Sequence, residues 1–181
     1  MSVKTLMTAE ELANLPEDDY RYELVEGELI RMSPTKPQHG KIAAKIIRIL
    51  GNYVEAKGLG EVYGTDTGFI IRRHPDTVRA PDIAFVSRER IPEESGESFF
   101  SFSPDLAVEV LSPDESAMEV QDKIEGYFQG GSRVVWVVNP KTKTVTVYLS
   151  PSDIHVLTIN NLITCGQVIP GLSFPVADIF R

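Results

Sequence analysis

Apolar and polar positions change their period several times along this chain, and each change marks an element. Over residues 38 to about 57, Ile42, Ala43, Ile46, Ile49, Leu50, Tyr53 and Val54 recur at helical spacing, which predicts the longest helix, with Lys41, Lys45 and Arg48 on its other side. A second helix is predicted over 115–129, where Ala117, Val120, Ile124, Tyr127 and Phe128 share a face and Gly130-Gly131 supplies the stop. A short one opens at Thr8, which forms a capping-box pattern with Glu11, and ends near Asn14 before Pro16. Strand patterns fill much of the rest. Arg21–Val25 and Glu28–Met32 flank Glu26-Gly27, so a hairpin is predicted, in whose register Glu23 lies across from Ile30. Residues 61–64, 68–72 and 78–86 read as strands, with His74-Pro75-Asp76 turning the chain between the last two. Phe69 and Ile71 alternate as in a strand with one solvated face.

Farther along, 105–111 predicts a central strand, and the almost wholly apolar 133–138 a strand covered on both faces. Strands over 144–149 and near 154–159, then a tail over 168–180, close the chain. The charged, Ser-rich stretch 88–104, interrupted by Pro92 and Gly96, predicts a mobile surface loop. Helix, hairpin, long helix, several mostly antiparallel strands, helix and strands together predict a mixed α/β (α+β) fold, a sheet with helices packed on it. One domain over 1–181 is expected, with residues 1–20 as a helical lead-in.

Composition narrows the function classes. A chain of 181 residues with 42% apolar content is long enough for a real core. Cys165 is the single cysteine, so no intramolecular disulfide can form, and no Cys/His cluster suggests structural zinc. A reducing cytoplasm is the expected location. No segment approaches the ~20 apolar residues of a membrane span, so a soluble protein without a membrane partner is expected. A net charge of −8 counts against gripping nucleic acid by charge alone, yet it is compatible with a nuclease whose acids gather around a cation. No phosphate-binding loop, dinucleotide fingerprint or G-x-S-x-G turn occurs.

Candidate chemistry lies in two strand-like runs, Arg79-Ala-Pro-Asp-Ile-Ala-Phe-Val86 and Asp105-Leu-Ala-Val-Glu-Val-Leu111. Each carries a carboxylate where a buried strand would normally place an apolar residue, and Lys123 follows on a helix. Two acids and a lysine can hold a divalent metal and activate water.

Six segments in order resemble the Uma-two family: Tyr22-Glu-Leu-Val-Glu-Gly-Glu-Leu29, His39 opening a long helix, Ala80-Pro-Asp-Ile-Ala-Phe85, Asp105-Leu-Ala-Val-Glu-Val-Leu-Ser-Pro113, Asp122-Lys-Ile-Glu-Gly-Tyr127 and Val135-Trp-Val-Val-Asn-Pro140. That bacterial group of candidate endonucleases is placed in the restriction-endonuclease-like PD-(D/E)xK superfamily. The resemblance implies a central mixed sheet flanked by helices, a divalent metal site, and phosphodiester hydrolysis; the ion expected at such a site is Mg²⁺ or Mn²⁺, and DNA is the expected substrate. Pro81-Asp82 matches the PD of the signature and Glu109 its second acid. The usual lysine two residues later is here Leu111, and the resemblance points instead to Lys123 on the following helix.

On that resemblance, Asp82 and Glu109 offer hard oxygen ligands to the metal, and Lys123 orients or helps deprotonate the attacking water and offsets charge in the transition state. Glu23 would bind a metal water or hold Lys123, and His39 would contact the scissile phosphate or an acid behind the metal. Arg72, Arg73 and Arg79 gather near Asp82 in the sequence, so Arg73 and Arg79 are candidate phosphate contacts.

Each residue also has an ordinary reading. Asp82 could be a turn acid, Lys123 a surface partner of Glu119, Glu23 a cross-strand partner, and His39 a packed or capping histidine. Trp136 and Tyr127 read as core. A homodimer is expected of an enzyme that cuts both strands of a two-fold duplex. Two other functions remain open: an inactive interaction domain, suggested by Leu111, and a hydrolase of smaller phosphodiesters, suggested by the acidic balance.

Overall fold

The computed structural model describes residues 6–16, 18–93, 96 and 98–181. In chain order it contains α1 (Ala9–Ala13), β1 (Arg21–Val25), β2 (Glu28–Met32), α2 (Pro37–Lys57), β3 (Gly60–Gly64), β4 (Phe69–Arg72), β5 (Thr77–Arg79), β6 (Ile83–Ser87), a 3₁₀ turn (Arg88–Arg90) and β7 (Leu106–Val110). There follow α3 (Ala117–Gln129), β8 (Val134–Asn139), β9 (Thr144–Tyr148), β10 (Ile154–Leu157), β11 (Leu162–Thr164), β12 (Ser173–Pro175) and α4 (Ala177–Phe180). A six-stranded sheet runs β10-β9-β8-β7-β6-β3, a four-stranded sheet β2-β1-β5-β4, and β11 pairs with β12. The large sheet is mixed, because β7 and β8 are parallel while its other pairs are antiparallel. No described helix is long and apolar enough to cross a membrane.

Strand alternation sorts the side chains into layers. Ile83 and Phe85 of β6, with Leu106, Val108 and Val110 of β7, point toward α2, whose Ile42, Ile46, Leu50 and Val54 form the matching stripe. Ala84, Val86 and Ala107 point the other way, against Ile124 and Tyr127 of α3 and Phe69 and Ile71 of β4. The small sheet therefore lies over the large one beside α3, and its outer face packs Leu24, Ile70 and Val78 on Ala9 and Leu12 of α1.

The hairpin register, the α1 capping box and the apolar β8 agree with the sequence pattern, including Glu23 opposite Ile30. Four expectations are corrected. The strand expected over 78–86 divides into β5 and β6, which belong to different sheets. Pro81 lacks the N–H a continuing ladder needs, and the Ala80 N–H donates to the Glu23 carboxylate at 2.9 Å instead. The strand expected to have a solvated face has none at its apolar positions, because Ile70 is buried against α1 while Phe69 and Ile71 face the large sheet. The second long helix starts at Ala117, where Ser116 and Glu119 form a capping box, and Ala117 is exposed.

The stretch 88–104 is also held more firmly than a free loop, although its residues 94, 95 and 97 lie outside the described residues, as do 1–5 and 17 of the lead-in. The Phe100 N–H donates to the Gly68 carbonyl, its own carbonyl accepts from the Ile70 N–H, and its ring stacks on Phe69 at 5.0 Å. Arg90 pairs with buried Asp105 at 2.9 Å, and the other carboxylate oxygen of Asp105 accepts the Ser87 N–H. The stretch is thus tied down at both ends.

Gly60 opens β3 with φ +151°, and a Cβ there would come within 2.1 Å of the Val86 carbonyl oxygen. Gly60→Ala is therefore expected to lower the unfolding free energy in urea by about 3 kcal/mol. Gly166→Ala, where nothing lies within 4 Å of the added carbon, is expected to change it by less than about 0.5 kcal/mol.

Candidate active site

The division at Pro81 brings the acids together. Asp82 immediately precedes Ile83, which pairs with Val108, so one further step of the same antiparallel register sets Asp82 opposite Glu109. Both share the sheet face that carries Ala84, Val86 and Ala107, the face covered by α3. From α3, Lys123 and Tyr127 stand one turn apart on the buried side and reach the same carboxylate.

The polar contacts form one continuous cluster. Glu109 accepts the Tyr127 hydroxyl on Oε1 at 2.6 Å and the Lys123 ammonium on Oε2 at 3.2 Å. Lys123 also donates to Glu115 at 2.6 Å. Asp82 takes the Val110 N–H on Oδ2 at 2.8 Å, and His39 Nε2 sits 3.0 Å from the same oxygen. Beside them Glu23 accepts Arg79 at 2.7 Å and the Ala80 N–H at 2.9 Å. Glu23, His39, Arg79, Asp82, Glu109 and Lys123 are all at least nine-tenths buried.

Burial at this density shifts proton affinities. Loss of solvent, together with the nearby Asp82 and Glu23 carboxylates, raises Glu109 to about 7 against the opposing pull of Lys123. Burial alone would lower Lys123, but Glu109, Glu23 and Glu115 overcome it and hold its ammonium well above the usual lysine range. The hydrogen bond to Asp82 raises His39, with burial opposing. Burial and then Glu109 push the Tyr127 hydroxyl well up, so it remains a donor.

Asp82, Glu109, Lys123, Glu23 and His39 all line one cleft of about 250 Å³. Arg79 lies behind it, buried and paired with Glu23, with Nε making no hydrogen bond to the described residues. Arg73 does not join the group: it pairs with Glu10 of α1 and with Asp76. Asp76 is buried and also accepts the Ala9 N–H, so the 73–76 turn is fastened to α1. Arg72 likewise turns outward to Glu26. The ordinary Lys123–Glu119 pair is not formed, because the Glu119 carboxylate caps α3 at the Ser116 N–H. Tyr127, assigned to the core by its apolar pattern, and Glu115 are the residues that sequence reasoning missed. Tyr127 lies four residues after Lys123, and a buried tyrosine hydroxyl requires a partner, so that spacing was the available signal.

The donor set suits one kind of metal. Asp82 Oδ1 accepts no hydrogen bond from the described residues, and each Glu109 oxygen has a lone pair beyond the bond it accepts. Among the described residues no three His, Cys, Asp or Glu side chains form a metal-holding group. Two adjacent carboxylates without a third ligand fit Mg²⁺ or Mn²⁺, hard ions that complete their shell with water and phosphate, and do not fit a closed zinc site.

Residues 9–177 match the Uma2 family, described as "Putative restriction endonuclease". No curated protein matches the chain. Among solved structures, the chain is similar to a crystal structure described as a putative nuclease belonging to DUF820 from Anabaena variabilis ATCC 29413. The two are 24% identical with a TM-score of 0.83, over 96% of this chain and 97% of that one. At that identity the likeness carries the fold.

The raised affinity of Glu109 has a sign in stability. Its folded value of about 7 lies above that of an unfolded glutamate, so the native state keeps a proton that the unfolded chain releases. That contribution is complete below the unfolded value and disappears as pH rises through 7; His39, raised as well, acts in the same direction. The metal-free protein is therefore expected to lose up to about 3 kcal/mol from this source between pH 5 and 8. Calorimetric unfolding of Glu109→Gln should show most of that slope removed; parallel curves for the two proteins would contradict it.

Proposed function

The chain belongs to the Uma2 family, and on that premise we propose that it is a Mg²⁺-dependent endonuclease hydrolysing phosphodiester bonds of DNA. The observation that carries this reading is the placement of Asp82, immediately before β6, opposite Glu109 of the adjacent β7, with the Lys123 ammonium bonded to Glu109 at the wall of an open cleft. Asp82 Oδ1 and the Glu109 oxygens would hold the cation. When bound, it supplies Lewis-acid polarisation of a phosphoryl oxygen and a more acidic water.

The protein's own residues divide the remaining work. Lys123, held as an ammonium by three carboxylates, is a donor that orients the attacking water and offsets negative charge building on the phosphoryl oxygens; it is not the base. Tyr127 fixes the rotamer of Glu109, and His39 with the Val110 N–H fixes that of Asp82. Glu109 must lose its proton before both oxygens can ligate, so cation affinity should fall as pH drops below 7. Glu23 is a positioning residue: through Arg79 and the Ala80 N–H it braces the segment that presents Asp82.

Three variants test the assignment in calorimetric Mg²⁺ titration and nicking of supercoiled plasmid. Asp82→Asn and Glu109→Gln should lose both Mg²⁺ binding and nicking. Lys123→Ala should retain Mg²⁺ binding while nicking falls about 10²- to 10³-fold, the range for removal of one charge-stabilising donor. Undiminished nicking by Asp82→Asn would refute the assignment.

A further inference from the structure

Three clefts adjoin one another on the side of the molecule that carries Asp82. The cleft over Asp82 and Glu109 shares Arg21, Glu23, Met32 and Ala80 with a second of about 300 Å³. The second shares Asp66, Gly68 and Phe99 with a third of about 600 Å³. Aromatic rings recur along this path: Tyr20, Tyr22 and Phe99 in the second, then Tyr63, Phe99 and Phe100 in the third.

Tyr20 is unlike the core aromatics. It is 46% exposed, its ring meets Tyr22 edge-on at 6.5 Å, and the Arg31 guanidinium carbon lies 3.1 Å from its centroid. Arg21 is paired with Asp66 and Arg79 with Glu23, whereas no carboxylate among the described residues forms an ion pair with Arg31. An exposed ring with a guanidinium over one face, beside a cleft that shares lining residues with the one over Asp82 and Glu109, offers an exposed aromatic surface and one positive charge.

We infer that this path seats an unpaired stretch of the substrate strand next to the scissile phosphate, its bases stacking on Tyr20 and Phe99 while Arg31 meets a backbone phosphate. The inference rests on the nuclease reading and adds a substrate class to it: nucleic acid that is single-stranded or frayed where it is cut. Bases in an intact duplex already stack on one another and have no free face for a side-chain ring, whereas unpaired bases do. Binding through stacking also suits a protein of net charge −8, whose groove cations are mostly neutralised. Salt sensitivity should accordingly be shallow, about −0.7 in the log–log slope for one single-strand phosphate contact.

The test is fluorescence anisotropy with a labelled oligothymidine strand, alone and annealed to its complement, in Ca²⁺ buffer. Wild type should bind the single strand more tightly than the duplex. Tyr20→Ala should weaken single-strand binding by about 5- to 150-fold, the span of one base–ring stack, with Tyr20→Phe close to wild type and duplex binding unmoved. Tyr20 is exposed, and an unchanged unfolding midpoint for Tyr20→Ala confirms that the loss is not one of folding. Equal affinity for single strand and duplex, or Tyr20→Ala binding like wild type, overturns the inference. If either occurs while plasmid nicking still depends on Asp82, the nuclease reading stands and only the stacking path falls. Tyr20-dependent strand binding without metal-dependent nicking upholds the path and removes the nuclease reading.

Discussion

Buried charge organises this molecule. Three carboxylates, Glu23, Asp82 and Glu109, are withdrawn from solvent between the two sheets and α3, and two buried cations, Arg79 and Lys123, face them. Lys123 is shared with the half-buried Glu115, so negative charge is in excess. Ionised groups are costly in a low-dielectric interior unless paired, and a surplus carboxylate is relieved only by a proton or a further cation. Glu109 takes the first course, which is the physical content of its rise to about 7. A divalent ion beside Asp82 would provide the second, and would exchange that proton for metal charge.

The architecture exists around that cluster in a definite way. Were β5 and β6 one strand, Asp82 would lie in a ladder of a single sheet; the interruption at Ala80-Pro81 lets the chain leave the small sheet and enter the large one with Asp82 at the crossing. Glu23 stabilises the same crossing from the neighbouring hairpin, accepting the one N–H that Pro81 strands. On the other side, the Ser116–Glu119 capping box fixes where α3 begins, and with it the depth at which Lys123 and Tyr127 meet Glu109. The break at Pro81 and the cap of α3 thus set the geometry within the cleft.

Much of this was legible in the chain. Helical spacing located α2, the Glu26-Gly27 pair set the hairpin register, and the two carboxylates in apolar runs picked out Asp82 and Glu109, because local pattern decides such features. What local pattern could not show was which sheet a strand joins. The 78–86 run is apolar apart from Arg79 and Asp82, and the missing Pro81 N–H is what hints that it divides. The strand carrying Phe69 and Ile71 read as having one solvated face because the burial of Ile70 against α1 is a contact between segments far apart in the chain. Arg73 was misplaced for the same reason: proximity to Asp82 in sequence says nothing about the carboxylate of Asp76, which ties that turn to α1. Tyr127 carried two roles, ring in the core and hydroxyl at the site, and an apolar pattern registers only the first.

The most direct measurement is anomalous diffraction at the manganese edge from crystals equilibrated with Mn²⁺ above pH 7. The account predicts a peak in the cleft at about 2.1 Å from oxygens of both Asp82 and Glu109, with the Lys123 ammonium still within reach of the bound water. No peak there, with Glu109 remaining bonded to Lys123 and Tyr127 alone, would contradict a metal-centred site.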